Sequence, residues 1–339
     1  MAGTLSQNGQ NVVPTIGTQF ISESREISIR KPFVTVGISF DDTVGSKEYV
    51  GEFNDSIKVE VSWFNNLPTA INDGEIHLKL TGNAFDKFSV VPEQGLYQSA
   101  NNTITWNKIT TPELGTIGAG ESGKVVFNLT PRDLSTSFRG VSNPSISLTA
   151  DVGGRRVSES NVPEQISSSA ARNIKISSNA SLSSQIVRSI GGIANTGPIP
   201  PRAEQATTYT VLWTVDNTAN TLSGAEVHAS LPAYVTWLGK TSPSDEDISF
   251  NKSSGDIIWK VGSLDTYTVV NKKRRQVAFQ ISFTPSVAQI GQSPNLVDQS
   301  VLNAHDDFTE QTLTSANSPI NTRFSSDPTF KDGDEVVGK

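Results

Sequence analysis

The amino-acid sequence predicts an all-β protein built as two tandem immunoglobulin-like β-sandwich domains with flexible tails. Three observations carry that expectation. First, the chain repeats itself: residues 57–66 are echoed by 209–218, 75–80 by 226–231, 104–106 by 257–259 and Thr130-Pro131 by Thr284-Pro285. The offset between partners drifts only from roughly 147 to roughly 154 residues, as short loop insertions cause, so the repeating unit is a whole domain rather than a solenoid turn. Second, the repeated segments alternate polar and apolar residues with a period of two, as in Lys58-Val59-Glu60-Val61-Ser62-Trp63 and Ile76-His77-Leu78-Lys79-Leu80. Third, no segment carries a sustained helical apolar stripe, and turn-forming clusters such as Asn72-Asp73-Gly74 and Gly118-Ala119-Gly120 punctuate the strands.

The elements follow in order. Residues 1–24, rich in Asn, Gly and Ser, read as an N-terminal tail or linker. The first sandwich is placed at 25–165 and opens with Arg25-Glu26-Ile27-Ser28-Ile29. Its strands end where Asn65 is suited to a side-chain-held turn and where Pro131 cannot continue a ladder. The small-residue run at 162–172 reads as the interdomain linker. The second sandwich, 166–321, opens with Arg172-Asn173-Ile174-Lys175-Ile176, and Ser318-Pro319-Ile320 resumes the linker pattern after it. Residues 322–339 read as a C-terminal tail. Trp106 and Trp259 continue the inward parity of their strands and are expected in the two cores.

Composition bounds the rest. A chain of 339 residues is long enough for two independent cores. Its net charge of −7 disfavours general nucleic-acid binding. There is no cysteine, which excludes disulfides, thiol catalysis and thiolate metal sites. Met1 is the one methionine, and the lack of sulfur residues suits life outside the reducing cytoplasm. No apolar stretch is long enough to span a bilayer, and the first twenty residues lack a basic start and an apolar segment. The expectation is therefore a mature form or an excised piece of an exported chain.

Three stretches together resemble a family: Tyr209-Thr210-Val211-Leu212-Trp213-Thr214-Val215-Asp216-Asn217, then Leu231-Pro232-Ala233-Tyr234-Val235, then Gly255-Asp256-Ile257-Ile258-Trp259-Lys260-Val261-Gly262. The pattern is a strand ending in an Asn turn, a strand ending in Leu-Pro and a Trp strand closing on Gly. It is similar to the conserved repeats, of domain-of-unknown-function type, in bacterial and archaeal cell-surface proteins. The first copy departs from it, with Thr81 after Leu80 and Asn107-Lys108 after the Trp106 strand. The resemblance implies an extracellular, envelope-attached array and transfers no active site.

Candidate chemistry is sparse. His77 and His228 hold the same strand position, and His305 stands beside Asp306-Asp307; none has ligand spacing, and no Gly-x-Ser-x-Gly elbow accompanies them, so the chain reads as a non-enzyme. Asp41-Asp42, Asp245-Glu246-Asp247 and Asp306-Asp307 are oxygen-rich clusters of the kind that hold Ca²⁺ in extracellular sandwiches, although none has EF-hand spacing and solvated loops are the simpler reading. No other cofactor is implied. The basic run Lys272-Lys273-Arg274-Arg275 has no counterpart in the first copy and reads as a hairpin tip or a contact for an anionic polymer or acidic neighbour. Tyr234 and Trp237, with Tyr97 in the matching first-copy region, are candidate loop aromatics for a ligand. A Lys175–Asn303 cross-link is disfavoured because Ile174 and Ile176 flank the lysine and turn it outward.

The expected function is a non-catalytic structural module, a stalk or a lattice or filament unit, whose partners are other copies of itself or envelope proteins. The alternative is an adhesin-type module binding an envelope polysaccharide, host glycan or protein through sandwich-end loops. Function is then to be sought where the copies differ.

Overall fold

The computed structural model describes residues 32–43, 48–132, 141–156, 165–268 and 274–339. Among these, helix is confined to two short 3₁₀ turns, Pro112–Gly115 and Val287–Gln289. Everything else that is regular is strand, arranged as two immunoglobulin-like β-sandwiches.

In the first sandwich, one sheet runs β1 (Val34–Phe40), β3 (Ile57–Asn65), β9 (Ser122–Leu129) and β5 (Val91–Pro92). The facing sheet runs β2 (Tyr49–Gly51), β11 (Gln165–Ile176), β10 (Ser145–Arg156), β4 (Ile71–Thr81), β7 (Thr103–Asn107) and β6 (Leu96–Gln98), with β8 (Thr116–Ile117) beside β4. In the second sandwich the sheets run β12 (Ala180–Val187), β13 (Thr207–Asn217), β18 (Arg275–Phe283), β15 (Val235–Ser242) and, facing them, β16 (Ile248–Phe250), β17 (Asp256–Leu264), β14 (Leu222–Ser230), β20 (Ser300–Asp306), β21 (Gln311–Asn317). A short pair, β19 (Asn295–Val297) and β22 (Ile320–Asn321), lies outside this frame. Replacing each strand of the first copy by its echo in the second reproduces the same two sheet orders, with β2 and β8 as extra members. The register repeats as well: Val34 stands opposite Asn65, and Ala180 opposite Asn217.

Period-two alternation makes the cores. Ile57, Val59, Val61 and Trp63 point inward from β3, as Tyr209, Val211, Trp213 and Val215 do from β13. Trp106 and Trp259 are fully buried, as expected, the first tilted against Phe127 at 6.2 Å and the second stacked on Trp213 at 6.5 Å. Burying one indole removes on the order of 200 Å² from water, a transfer term on the order of 5 kcal/mol. Asn65 and Asn217, both buried, pin the loop that follows them. The Asn65 amide donates to the carbonyls of Thr69 (2.9 Å), Ile117 (3.2 Å) and Gly118 (2.9 Å), and that of Asn217 to Asn220 (2.6 Å) and Asp265 (2.9 Å).

Three expectations about boundaries change. The predicted linker at 162–172 is, from Gln165 onward, strand β11, and it pairs with β10 along its length. Arg172-Asn173-Ile174-Lys175-Ile176 therefore closes the first sandwich instead of opening the second, and the limits 25–165 and 166–321 move to a junction at Ser177, Ser178 and Asn179. The run Ser167-Ser168-Ser169-Ala170-Ala171 misleads because small residues suffice on a strand with a largely exposed outer face; the buried Ile166, Ile174 and Ile176 anchor its two ends. The predicted tail at 322–339 is packed: Phe324 and Val337 join the second core, and Thr322 and Asp327 are buried. Apolar residues spaced among Asp, Gly and Ser concealed that packing. The proposed tail at 1–24 and the strand at 25–29 lie outside the described residues.

Candidate functional site

The sequence-predicted site residues are largely occupied by the fold's own contacts. Lys272 and Lys273 lie outside the described residues. Arg274 Nε pairs with Asp216 Oδ1 at 3.1 Å, and Arg275 Nη2 grips both oxygens of Glu246 at 3.0 and 2.8 Å. Burial pushes the Asp216 carboxyl up, and the Arg274 charge works against that. Both arginines are therefore tied to acids of the second sandwich, with 52% and 39% of their side chains still exposed.

The acidic candidates do not assemble into a metal site. Glu246 also accepts the Trp259 indole N–H at 2.8 Å, so its carboxylate is a structural bridge between the core tryptophan and Arg275. Asp245 and Asp247 are exposed on either side of it. Asp307 accepts the Ser223 hydroxyl at 2.6 Å. Asp306 is fully buried and surrounded by N–H donors. Among the described residues, no group of three or more His, Asp or Glu side chains is placed to hold a metal ion. His77 and His228 each pair at 3.3 Å with the glutamate two residues before them, Glu75 and Glu226, and His305 pairs with Glu310 at 3.3 Å.

The aromatic candidates divide. Trp237, on strand β15, is half-buried, stacked on Phe250 at 5.6 Å and packed on Phe279 at 4.9 Å. Tyr234 is 40% exposed, but its hydroxyl donates to the Asn295 carbonyl at 2.8 Å and its ring meets Phe283 edge-on. Tyr97 is half-buried on β6. The Lys175–Asn303 pair is excluded by placement: Lys175 belongs to the first sandwich, where it meets Glu48 at 2.5 Å, while Asn303 accepts the Thr314 hydroxyl in the second.

What the structure does bring together is a junction between the sandwiches. Asp306 Oδ2 accepts the Ser178 amide and the Asn220 side-chain amide, both at 2.8 Å, while Oδ1 accepts the amides of Phe308 (3.0 Å) and Thr309 (3.1 Å). Four donors fill the lone pairs that a carboxylate offers. Asn220 also donates to the Ile176 carbonyl at 3.0 Å. The Ser178 hydroxyl donates to Asn217 Oδ1 at 2.7 Å and accepts the amides of Ala219 (2.9 Å) and Asn220 (3.0 Å). Tyr267 donates its hydroxyl to the Val141 carbonyl, and the Lys175 ammonium sits 4.9 Å over the Phe308 ring. Beside this network lies a polar cleft of about 450 Å³, lined by Glu52, Asn54, Asn179, Thr218 and Gln311.

Sequence reasoning missed Ser178, Asn220, Tyr267 and Phe308. A signal existed for Asp306, since Ser300, Leu302, Ala304 and Asp306 share one parity of β20 and all are buried. A carboxylate that continues an inward apolar face needs donors.

No protein-family model and no curated protein matches the chain. Among solved structures, the chain is similar to the red sea bream transglutaminase at 13% identity and a TM-score of 0.24, over 91% of this chain and 32% of that one. It is also similar to the major pilin subunit of Bacillus cereus at 7% identity and a TM-score of 0.30, over 74% of this chain and 64% of that one. The chain thus spans about a third of the first and less than two thirds of the second. Neither superposition is close enough to bear on function. Among the described residues, no helix is long and apolar enough to cross a membrane.

Proposed function

We propose that the chain is a non-catalytic structural module of a surface protein, a stalk or a lattice or filament unit, of the surface-repeat type that its Asn-turn, Leu-Pro and Trp-strand pattern resembles. The observation that carries this reading is the junction. Asp306, Asn220 and Ser178 are buried and hydrogen-bonded across it, so the sandwiches are joined by a fixed contact and not by a free linker. A buried polar network specifies one arrangement because every alternative leaves donors unmet. A fixed angle between repeated domains is what a stalk or lattice-forming unit requires, whereas a catalyst requires converging reactive groups.

Electron microscopy of the purified chain over a wide range of concentration tests the proposal. Ordered sheets or filaments are expected, and a strictly monomeric chain with and without Ca²⁺ overturns it. The adhesin reading keeps one specific support. Phe88, Val91 and Leu96, on or next to the edge strands β5 and β6, are 82, 61 and 58% exposed, so the first sandwich offers apolar side chains to a partner.

A further inference from the structure

The two sandwiches treat one corner of the fold differently. In the second, Arg275 opens β18 opposite Val215, and its guanidinium lies on both oxygens of Glu246. The same carboxylate accepts the Trp259 indole N–H. The second sandwich thus brings a cation to this corner from its own chain.

The first sandwich keeps the frame and omits the cation. Gly123 stands opposite Trp63 where Arg275 stands opposite Val215. Gly95 lies against the Trp106 indole, a Cβ there coming within 2.6 Å of Nε1, at the place where Ile248 pairs with Trp259. Two residues earlier in each copy, Glu93 holds the position of Glu246. Among the described residues no cation reaches Glu93, and the fully buried Trp106 Nε1 has no acceptor.

The corner left by the missing arginine is a pocket of about 170 Å³, lined by Trp63, Gln94, Thr111, Glu113, Glu121 and Gly123. Its inner wall is built: Trp63 and Thr111 are 4% and 3% exposed, and the Thr111 hydroxyl has no partner among the described residues. Glu121 accepts the Gly118 amide through one oxygen, and among the described residues neither it nor Glu113 pairs with a cation. Lys124, also on the rim, is tied to Glu60 at 2.7 Å.

These groups select the chemistry of a ligand. An anion would meet Glu93, Glu113 and Glu121 together, and an apolar group would leave the buried hydroxyl unmet. A guanidinium suits all of them. It is planar, forks onto carboxylates, packs on an aromatic ring and offers further N–H donors to a hydroxyl oxygen. We propose that this pocket receives an arginine side chain of a partner protein, which gives the first sandwich the guanidinium that Arg275 gives the second. The proposal is independent of the building-unit reading, since a lattice neighbour and an adhesion partner can equally carry the arginine.

The test is a titration of the full chain with N-acetyl-arginine methylamide, and with its citrulline analogue as the uncharged isostere. Heteronuclear NMR reads the backbone amides of Glu113, Glu121 and Gly123 and the Trp63 indole N–H. Saturable shifts are expected there at low salt, with a dissociation constant of about 1 mM and binding at least about tenfold weaker for the citrulline analogue. Glu113→Gln combined with Glu121→Gln changes two exposed side chains and is expected to weaken arginine binding about tenfold. Trp63→Val combined with Gly123→Arg imports the Val215–Arg275 pair and is expected to abolish it. Absence of saturable shifts at these residues overturns the proposal. So does a citrulline analogue that binds as tightly as the arginine probe, or a glutamine double variant that binds arginine like wild type. If the variant carrying Trp63→Val and Gly123→Arg fails to fold, the glutamine pair decides alone.

Discussion

Asp306 of the second sandwich accepts a 2.8 Å hydrogen bond from the backbone amide of Ser178, two residues beyond the last strand of the first. The same oxygen accepts Asn220, which reaches on to the Ile176 carbonyl, so one carboxylate ties the loop of one domain to the exit of the other. Removing it strands four buried or partly buried donors, each worth about 1 kcal/mol or more. Asp306→Ala is therefore expected to cost about 3 kcal/mol in urea unfolding and to broaden the interdomain distance distribution in small-angle X-ray scattering. Asp306→Asn is expected to cost nearly as much, because its amide nitrogen would face N–H donors. Wild-type stability in either variant contradicts the account of the junction.

The pH response of the C-terminal segment follows from Asp327. Burial pushes its carboxyl up, but hydrogen bonds from the hydroxyls and amides of Thr329 and Ser189 outweigh that and hold it well below the ordinary carboxylate range. A carboxyl depressed in the folded state stabilises fully above its unfolded value, about 3.9, and loses that contribution as pH falls toward the folded one. Hydrogen-exchange protection of residues 322–339 is thus expected to hold from pH 7 to about 4 and to decline only in stronger acid. Asp327→Asn is expected to lower that protection already at pH 7.

Much of the fold was legible because both copies write it in the same period. The alternation that places Val59, Val61 and Trp63 inward, the turns held by Asn65 and Asn217 and the buried Trp106 and Trp259 follow from strand parity. The boundary was not legible. A run of serines and alanines is compatible with both a linker and an edge-facing strand, and only the partner strand β10 decides between them. The junction was illegible for a related reason. Ser178, Asn220 and Asp306 are separated by 42 residues and then by 86, and nothing local in sequence joins them. The pairing of Arg274 and Arg275 was illegible for the same reason: Asp216 and Glu246, distant in sequence, are adjacent to them only in the fold.

Glu246 is expected to behave as a structural residue and not as a metal ligand. Its side chain bridges the Trp259 indole and the Arg275 guanidinium, and it is largely buried. Glu246→Ala leaves an indole N–H and a guanidinium without their acceptor, for an expected cost of about 2–3 kcal/mol. A double-mutant cycle with Arg275→Ala is expected to show coupling of about 1 kcal/mol or more. Calcium is expected to leave the melting temperature of wild type and Glu246→Ala unchanged relative to each other. A calcium-dependent rise seen only in wild type would show that the carboxylate binds the ion.

In one strand pair the two sandwiches solve the same packing problem differently. Trp63 on β3 stands opposite Gly123 on β9, where the second sandwich has Val215 opposite Arg275. The Trp63 ring lies over the Gly123 backbone so closely that a Cβ added there would come within 2.3 Å of Cζ2 and 2.8 Å of Cε2. Trp63 is buried and cannot swing away without opening the core. Gly123 is therefore needed for space, not for backbone conformation. Gly123→Ala is expected to destabilise the first sandwich by about 2–3 kcal/mol through overpacking, whereas in an ordinary strand the same change is neutral or favourable. Adding Trp63→Val, which imports the smaller partner used by the second sandwich, is expected to recover part of that loss. Thermal unfolding of the single and double variants decides the point. If Gly123→Ala costs as much in the Trp63→Val background as it does beside the intact indole, the indole is not what requires the glycine.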